Sequence, residues 1–514
     1  MLKRIANKIR RLSVSKIKHI QYFFLKKIIK SELNNKPTLL PLITIFGSCR
    51  QDSIYNVYPV TSIRNDLTYT HYTKEIIQAI EFCADKNKYF DEYVYFRSSL
   101  LAQKKITKSF KKEFNTTDLF VIEIASRICY EYKGKYLHQE AYDNPQYINT
   151  LNEKVVLSDI SDVAIEEDLI KLRELVYPKP LIVVTHAASV QKGKRYELVQ
   201  LIKTICKKLN IPCIDPIDHL INYDEKLIFI PNDNTTHYTP FGHKIIQAKY
   251  KEIIEKTMIK ASLPKLTQVY TNNTKKISLH SYHGFGDFLM GSLSISQYAK
   301  ALGKHPAISF NNHPISKYLY NQNYISPIDS EKTKHIFDVP ELIDFLDENL
   351  VFTNKKASNI SEEDKQFLIE KCLQPRLHFE QEINNLLDTL NLNNSFDVLH
   401  IRGNDDDQNS IETLNKINSL ILKHTNINKK YLLLSSSEEI INHINKKHLF
   451  KTNLKRCHSG MADLDEKALL DTLLEFMLMT KAKNIIQISP YPWGSNFSNI
   501  VAEIYNIPIK KYKF

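Results

Sequence analysis

Gly284-Phe-Gly-Asp-Phe-Leu-Met-Gly291 stands between the apolar run Ile277-Ser-Leu-His-Ser-Tyr282 and a helical pattern over 288–302. A glycine turn joining a strand to a helix lets the backbone approach a ligand, and the helix N-terminus favours negative charge such as phosphate. A strand at 307–310 follows, then a polar, helical middle section, and the alternation restarts at Phe396-Asp-Val-Leu-His-Ile-Arg402. Further strands are expected at 431–434 and 484–488, with helices at 437–446, 467–480 and 496–505. Two strand-initiated α/β halves in tandem, about 276–395 and 396–514, make a ligand cleft at the carboxyl ends of the strands.

Upstream, the pattern is again α/β. Leu42-Ile-Thr-Ile-Phe46 reads as a strand that ends at Gly47-Ser48-Cys49-Arg50. Strands at 118–125, 180–186 and 211–214 alternate with helices at 196–209 and 242–256. Continuous β-branched runs separated by helices predict a parallel sheet covered on both faces, hence one domain over 37–257. Residues 258–275 lose the periodicity and read as a linker. Residues 1–36 are basic, with apolar positions at helical spacing but no apolar stretch long enough for a signal peptide or a membrane span. Such a helix lies on an anionic membrane face or packs on the body of the protein.

At 514 residues the chain calls for two or three domains. Glycine is scarce, 11 in all, and seven of them (Gly47, Gly242, Gly284, Gly286, Gly291, Gly403, Gly494) fall in the motifs discussed here. The net charge of +13 points to an anionic partner or to a solvated basic surface. No RNA- or DNA-binding pattern accompanies it, so nucleic acid is not an expected partner. The 7 cysteines are scattered and unpaired in spacing, which argues against a disulfide framework and a zinc site. The expected compartment is the reducing cytoplasm, with peripheral contact on the inner face of the membrane through 1–36, and no metal is expected.

Three elements carry the chemistry of the C-terminal half. In the turn described above, Gly284, Gly286 and Asp287 open a helix. His400-Ile-Arg-Gly-Asn-Asp405 ends an apolar strand, where the forked donors of Arg402 can grip a diphosphate and steady charge on a departing nucleotide. Ser489-Pro-Tyr-Pro-Trp-Gly-Ser-Asn-Phe-Ser-Asn499 again joins a strand to a helix, and Ser495 and Ser498 can donate to phosphate oxygens there. Each also has a plainer reading, as a common turn, a salt-bridged strand exit or an N-cap with an aromatic plug. In this order the three resemble the fucosyltransferase-like glycosyltransferases of the GT-B fold, which carry a G-x-G-[ND] turn, an H-x-R-R-x-D stretch and an S-x-F-S-like stretch. Gly284, Gly286 and Asp287 match the first, His400, Arg402 and Asp405 the second, and Ser495, Phe497 and Ser498 the third. Gly403 stands where the second arginine belongs. The resemblance implies metal-independent, inverting transfer from a nucleotide sugar, GDP-linked donors included, with Arg402 steadying the leaving diphosphate. Asp287, His400 and Asp405 stay open as base or orienting groups.

In the N-terminal domain, Cys49 follows the first strand and His237 precedes the last helix, positions that can meet at the top of a parallel sheet. The pair resembles the SGNH (GDSL-like) hydrolases and acyltransferases of polysaccharide biosynthesis, which implies a flavodoxin-like three-layer domain. The resemblance sets Cys49 at the nucleophile position, Ser48 at the acidic one and His237 as general base. Asp233 is a candidate orienting group, although the D-x-x-H register holds Asn234, and a Cys–His dyad is the alternative. Ser126 and Arg127 lie where the family keeps an oxyanion-hole or substrate group. A thiolate suits acyl exchange from acyl-CoA. Together these features imply a bifunctional enzyme of bacterial capsule or lipopolysaccharide synthesis acting on a lipid-linked or oligosaccharide acceptor. The alternative is a single-function glycosyltransferase with a non-catalytic, glycan-binding N-terminal domain.

Overall fold

In the computed structural model the chain forms two compact units, Met1–Leu263 and Pro264–Phe514. The structure describes residues 40–67, 69–86, 109–139, 155–188, 190–231, 237–270, 284–310, 313–326, 329, 333–336, 350–354, 359–392, 395–403, 410–435, 437–452, 454–455 and 465–514. The expected helix in 1–36, the strand at 277–282, Asp233 and Asp405 lie outside these residues.

Seven strands belong to the described part of the first unit: β1 (Ile43–Phe46), β2 (Leu119–Ile124), β3 (Ile128–Tyr132), β4 (Lys135–Tyr136), β5 (Val156–Asp159), β6 (Leu181–Thr185) and β7 (Cys213–Ile214). β1, β2, β6 and β7 make a parallel sheet in that spatial order, and β3 to β5 form a small antiparallel sheet beyond β2. Every residue of β1, β2 and β6 is buried, which is why their apolar runs are continuous rather than alternating. Ile43, Ile45, Val121 and Val184 pack with Ile246, Tyr250 and Ile254 of a long C-terminal helix. The helices used below are α1 (Asp162–Val176), α2 (Lys194–Leu209) and that long one, α3 (Pro240–Ser262). An isolated parallel bridge joins Ile43 to Val60 on the edge of β1 away from β2. The chain therefore leaves β1 to one side and returns on the other, so the carboxyl end of β1 is a topological switch point.

The second unit holds two parallel sheets. The first contains β8 (Lys265–Val269), β9 (His305–Ser309), β10 (Lys334–Ile336) and β11 (Leu350–Thr353) in the order β10-β11-β8-β9. The second contains β12 (Asp397–Ile401), β13 (Tyr431–Ser435), β14 (Leu449–Lys451), β15 (Ile485–Ser489) and β16 (Ile509–Lys513) in the order β14-β13-β12-β15-β16. Three helices bear on the site: α4 (Phe285–Ala301), α5 (Glu466–Met479) and α6 (Asn496–Ile504). The second sheet steps from β12 to β13 and β14, then jumps back to β15 at the other side of β12. Its switch point lies between β12 and β15, whose exits carry the His400 and Ser495 stretches.

Two expectations need correction. The stretch 258–275 is not an irregular linker over its described part: α3 runs on to Ser262, and β8 occupies Lys265–Val269. The strand was disguised by its polar centre. Thr267 and Gln268 are buried, and the Gln268 side chain donates to the Thr353 carbonyl (2.7 Å) and accepts from the Thr353 amide (3.1 Å) on neighbouring β11. Helix α4 also begins at Phe285, three residues ahead of the expected start, so Gly286 and Asp287 sit in its first turn.

Candidate active sites

The N-terminal site is organised by one buried acid. Glu123, the only charged residue of β2, is fully buried. Its Oε2 accepts from the Ser48 amide (2.8 Å) and the Ser48 hydroxyl (2.6 Å), and its Oε1 accepts from Arg50 Nε (3.0 Å). The turn after β1 must lie directly on β2 for this to happen. A Cβ at Gly47 would stand 2.7 Å from Glu123 Cβ, so only glycine fits there. Arg64 adds a second clamp, donating Nη1 to the Ser48 carbonyl at 2.8 Å and pairing with Asp52. This grip holds Cys49 at the start of a short 3-10 helix, Cys49–Ile54. That helix is tied to α3 by Gln51 with Tyr250 and by Ser53 with His243 (2.6 Å). His237 arrives on the strand-like segment before α3, its carbonyl accepting from Ile230 N at 2.9 Å. Cys49 Sγ and His237 Nε2 stand 2.9 Å apart, across 188 residues of sequence.

Charge in this site follows from burial and from arginine. Burial alone raises the Glu123 carboxyl, but the Arg50 guanidinium and the Ser48 hydrogen bonds outweigh it and hold the group at about 2. Burial, with Arg50 and Arg195 nearby, pushes His186 down to about 3, so its imidazole is neutral. Burial pushes the Cys49 thiol up. A cavity of 550 Å³ opens over Cys49 and His237, lined also by Arg50, Arg127, His186, Lys194 and Arg195. Cations predominate on its walls, which suits an anionic ligand.

The C-terminal site gathers its three sequence elements at the β12–β15 crevice. Asp287 Oδ1 accepts from Asn496 Nδ2 at 3.1 Å, joining the first turns of α4 and α6. Gly286 packs on the same place, its Cβ position 3.3 Å from the Asn496–Phe497 backbone. At the end of β12, His400 Nδ1 lies 2.7 Å from Ser498 Oγ, and its ring centroid is 6.1 Å from that of Phe497. Phe497 is wedged edge-on against Phe476 of α5 (5.3 Å). Arg402 N donates to the Ile488 carbonyl at 2.9 Å, which extends the β12–β15 pairing and brings the half-buried Arg402 to the crevice. Trp493 is 63% exposed and stacked on Tyr491 (5.3 Å), so it is a surface platform and not the packed plug of the plainer reading.

Residues 141–252 match the family described as the TviD N-terminal domain. A relative named Vi polysaccharide biosynthesis protein TviD, from Salmonella typhi, is 28% identical over 118 residues, 21% of this chain. The match spans only 14% of that protein's length. Among solved structures, the fucosyltransferase NodZ from Bradyrhizobium is similar over 49% of this chain and 96% of its own, at 14% identity and a TM-score of 0.32. Arabidopsis thaliana FUT1 is similar over 69% of this chain and 79% of its own, at 12% identity and a TM-score of 0.23. Scores this low carry no weight for fold or activity.

The expected residues fare differently. Cys49 and His237 meet. Ser48 turns inward onto Glu123 and is 2% exposed, so it braces the turn and does not face His237. Ser126 Oγ accepts from Ile128 N (3.0 Å), and Arg127 binds the Ile160 carbonyl (2.9 Å) and Asp162; both residues line the cavity. Ser498, expected to donate to phosphate, is fully buried and faces His400, and Ser495 is the N-cap of α6 without a side-chain cap bond. Glu123 and Arg64 were missed as site residues, and His186, which sits at a strand exit and reads as a core or rim histidine, lines the cavity. An acid inside the run Leu119–Ile124 was the available signal for the first. Among the described residues no group of three or more His, Cys, Asp or Glu is placed to hold a metal ion, and no helix is long and apolar enough to cross a membrane.

Proposed function

We propose that this chain is an enzyme of bacterial surface-polysaccharide synthesis, in capsule or lipopolysaccharide, whose C-terminal unit transfers a sugar from a nucleotide donor to a glycan acceptor. The observation that carries the reading is the meeting of Asp287, His400, Arg402 and Asn496 at one switch-point crevice, from three separate stretches of sequence. Arg402 steadies the leaving diphosphate, and the acceptor hydroxyl attacks from the opposite face, inverting the anomeric carbon without a metal. The partial similarity to a polysaccharide-biosynthesis protein supports the substrate class. A thermal-shift panel of nucleoside diphosphates and sugar nucleotides tests it: a bound donor raises the melting temperature, and Arg402→Ala removes the rise. No rise with any nucleotide overturns the reading.

The Cys49–His237 contact favours a second activity on the same glycan, acyl transfer or ester cleavage, over a purely glycan-binding N-terminal unit. His237 Nε2 takes the thiol proton as Cys49 Sγ attacks the carbonyl of an acyl-CoA. The coenzyme thiolate leaves with that proton, and an acyl-cysteine remains. A sugar hydroxyl then attacks the acyl-cysteine and gives its proton to His237, which returns it to the departing Sγ. The cationic cavity walls suit the phosphates of such a donor. Incubation with radiolabelled acetyl-CoA tests the step: label on the protein that disappears in Cys49→Ala supports it, and label retained in that variant sinks it. Membrane contact through 1–36 completes the proposal, tested by flotation with anionic vesicles.

A further inference from the structure

The stretch between β15 and α6 carries Trp493, the single tryptophan of the chain. Pro490 and Pro492 restrict the backbone on either side of Tyr491. Tyr491 to Gly494 close a turn with proline at its second position, the Gly494 amide donating to the Tyr491 carbonyl at 3.1 Å. The Tyr491 amide donates to Ser489 Oγ at 3.2 Å, and Asn499 Nδ2 donates to the Trp493 carbonyl at 2.9 Å. The loop is therefore fixed to β15 at one end and to α6 at the other. Its two rings stack nearly parallel, with 17° between their planes and 5.3 Å between their centroids. Tyr491 covers one face of the indole, and with Trp493 63% exposed the other face meets water. Leaving so large a ring in water forgoes about 25 cal/mol for each Å² that could be buried. The closed turn and the stack hold it there.

A pyranose ring has a face of C–H bonds and a rim of hydroxyls. The C–H face packs on an aromatic ring, whose negative surface meets the slightly positive hydrogens, while the hydroxyls stay in water. One indole face suits a single sugar ring and falls far short of the roughly 1,000 Å² that a protein partner needs. Depth separates the acceptor from the donor nucleotide. His400 is buried and Arg402 half-buried, so the diphosphate end of the crevice lies inside, whereas Trp493 stands on the exposed rim. A growing glycan runs out into solvent across such a rim. Asn496, which holds Asp287 at 3.1 Å, follows Trp493 by three residues, so the loop leads directly into the crevice. We propose that Trp493, backed by Tyr491, is a subsite for a pyranose ring of the glycan acceptor. Naming the occupant as the acceptor rests on the sugar-transfer reading above; a saccharide subsite on this platform does not.

With one tryptophan in the chain, the tryptophan emission of the full-length protein reports this place alone. The probe is the oligosaccharide mixture released by mild acid from the surface polysaccharide of the producing bacterium. Its addition is expected to move the emission to shorter wavelength as water leaves the indole face, and guanosine and uridine diphosphates are expected to leave it unchanged. In the transfer assay, Trp493→Ala should raise the KM for the oligosaccharide at least about tenfold, with kcat and the KM for the nucleotide sugar held within about twofold. Trp493→Phe should recover most of that loss, and the exposed position lets both variants fold. An emission unmoved by the oligosaccharides overturns the proposal, whether it answers instead to the diphosphates, as a base platform, or to protein concentration, as a contact between copies. A raised donor KM with an unchanged acceptor KM in Trp493→Ala overturns it as well. A saccharide-induced shift in a protein whose melting temperature no nucleotide raises overturns the sugar-transfer reading and the acceptor assignment, and the saccharide subsite stands.

Discussion

Glu123 shows how a single side chain shapes a site that it does not line. Both of its oxygens are engaged, by Ser48 and by Arg50, at a fully buried position. Glu123→Gln keeps the shape but removes the carboxylate charge that faces the buried Arg50 guanidinium, so a loss of about 3 kcal/mol in unfolding free energy is expected by denaturant titration. The acid also sets a pH dependence. Its folded value of about 2 lies below the ordinary 4.5, so its contribution is present above 4.5 and is lost as pH falls toward 2. His186 acts in the same direction over a higher range. Its folded value of about 3 lies below 6.5, so the unfolded chain binds the extra proton and stability declines as pH drops from 6.5 toward 3. His186→Gln should flatten the melting-temperature profile over that range; an unchanged slope would show that His186 is protonated in the fold. Cys49 and His237 were legible in the sequence because each sits at a strand exit or helix entry. The inward turn of Ser48 was not, because nothing beside it in the chain says which buried acid it will meet.

Elements explain why the turns lie where they do. The first-turn residues of α4 and α6 meet because α4 packs closely on the sheet beneath it. Gly291 makes this possible: a Cβ there would stand 1.7 Å from the Thr353 carbonyl oxygen of β11. Gly291→Ala is therefore expected to cost about 3 kcal/mol, read as a lower melting temperature of the full chain, since the clash is with backbone that cannot swing aside. The strand–turn–helix order of all three motifs was readable from hydrophobic runs and glycine placement. β8 was not, because its centre is polar and the Gln268 amide is met by Thr353 of β11, 85 residues away. The extra first turn of α4 was missed for a related reason. Glycine weakens a helix locally, and packing on α6 and β11 offsets that cost.

At the scale of the whole chain, each unit carries a candidate site of its own. The nucleotide-dependent rise in melting temperature should therefore survive Cys49→Ala and vanish in Arg402→Ala, a contrast that one thermal-shift series measures. Loss of the rise in both variants would show that the two sites depend on one another. The amino-acid sequence by itself determined the α/β alternation, the strand exits that bear Cys49, His400 and Arg402, and the glycine turns, because those signals are local in the chain. Tertiary structure alone decided that Ser48 braces Glu123 while Cys49 meets His237, and that Ser498 lies buried against His400. Those outcomes depend on which buried donors and acceptors find one another across distances of up to 188 residues. A buried polar group must be satisfied by whatever partner the fold brings, and the partner is not written beside it.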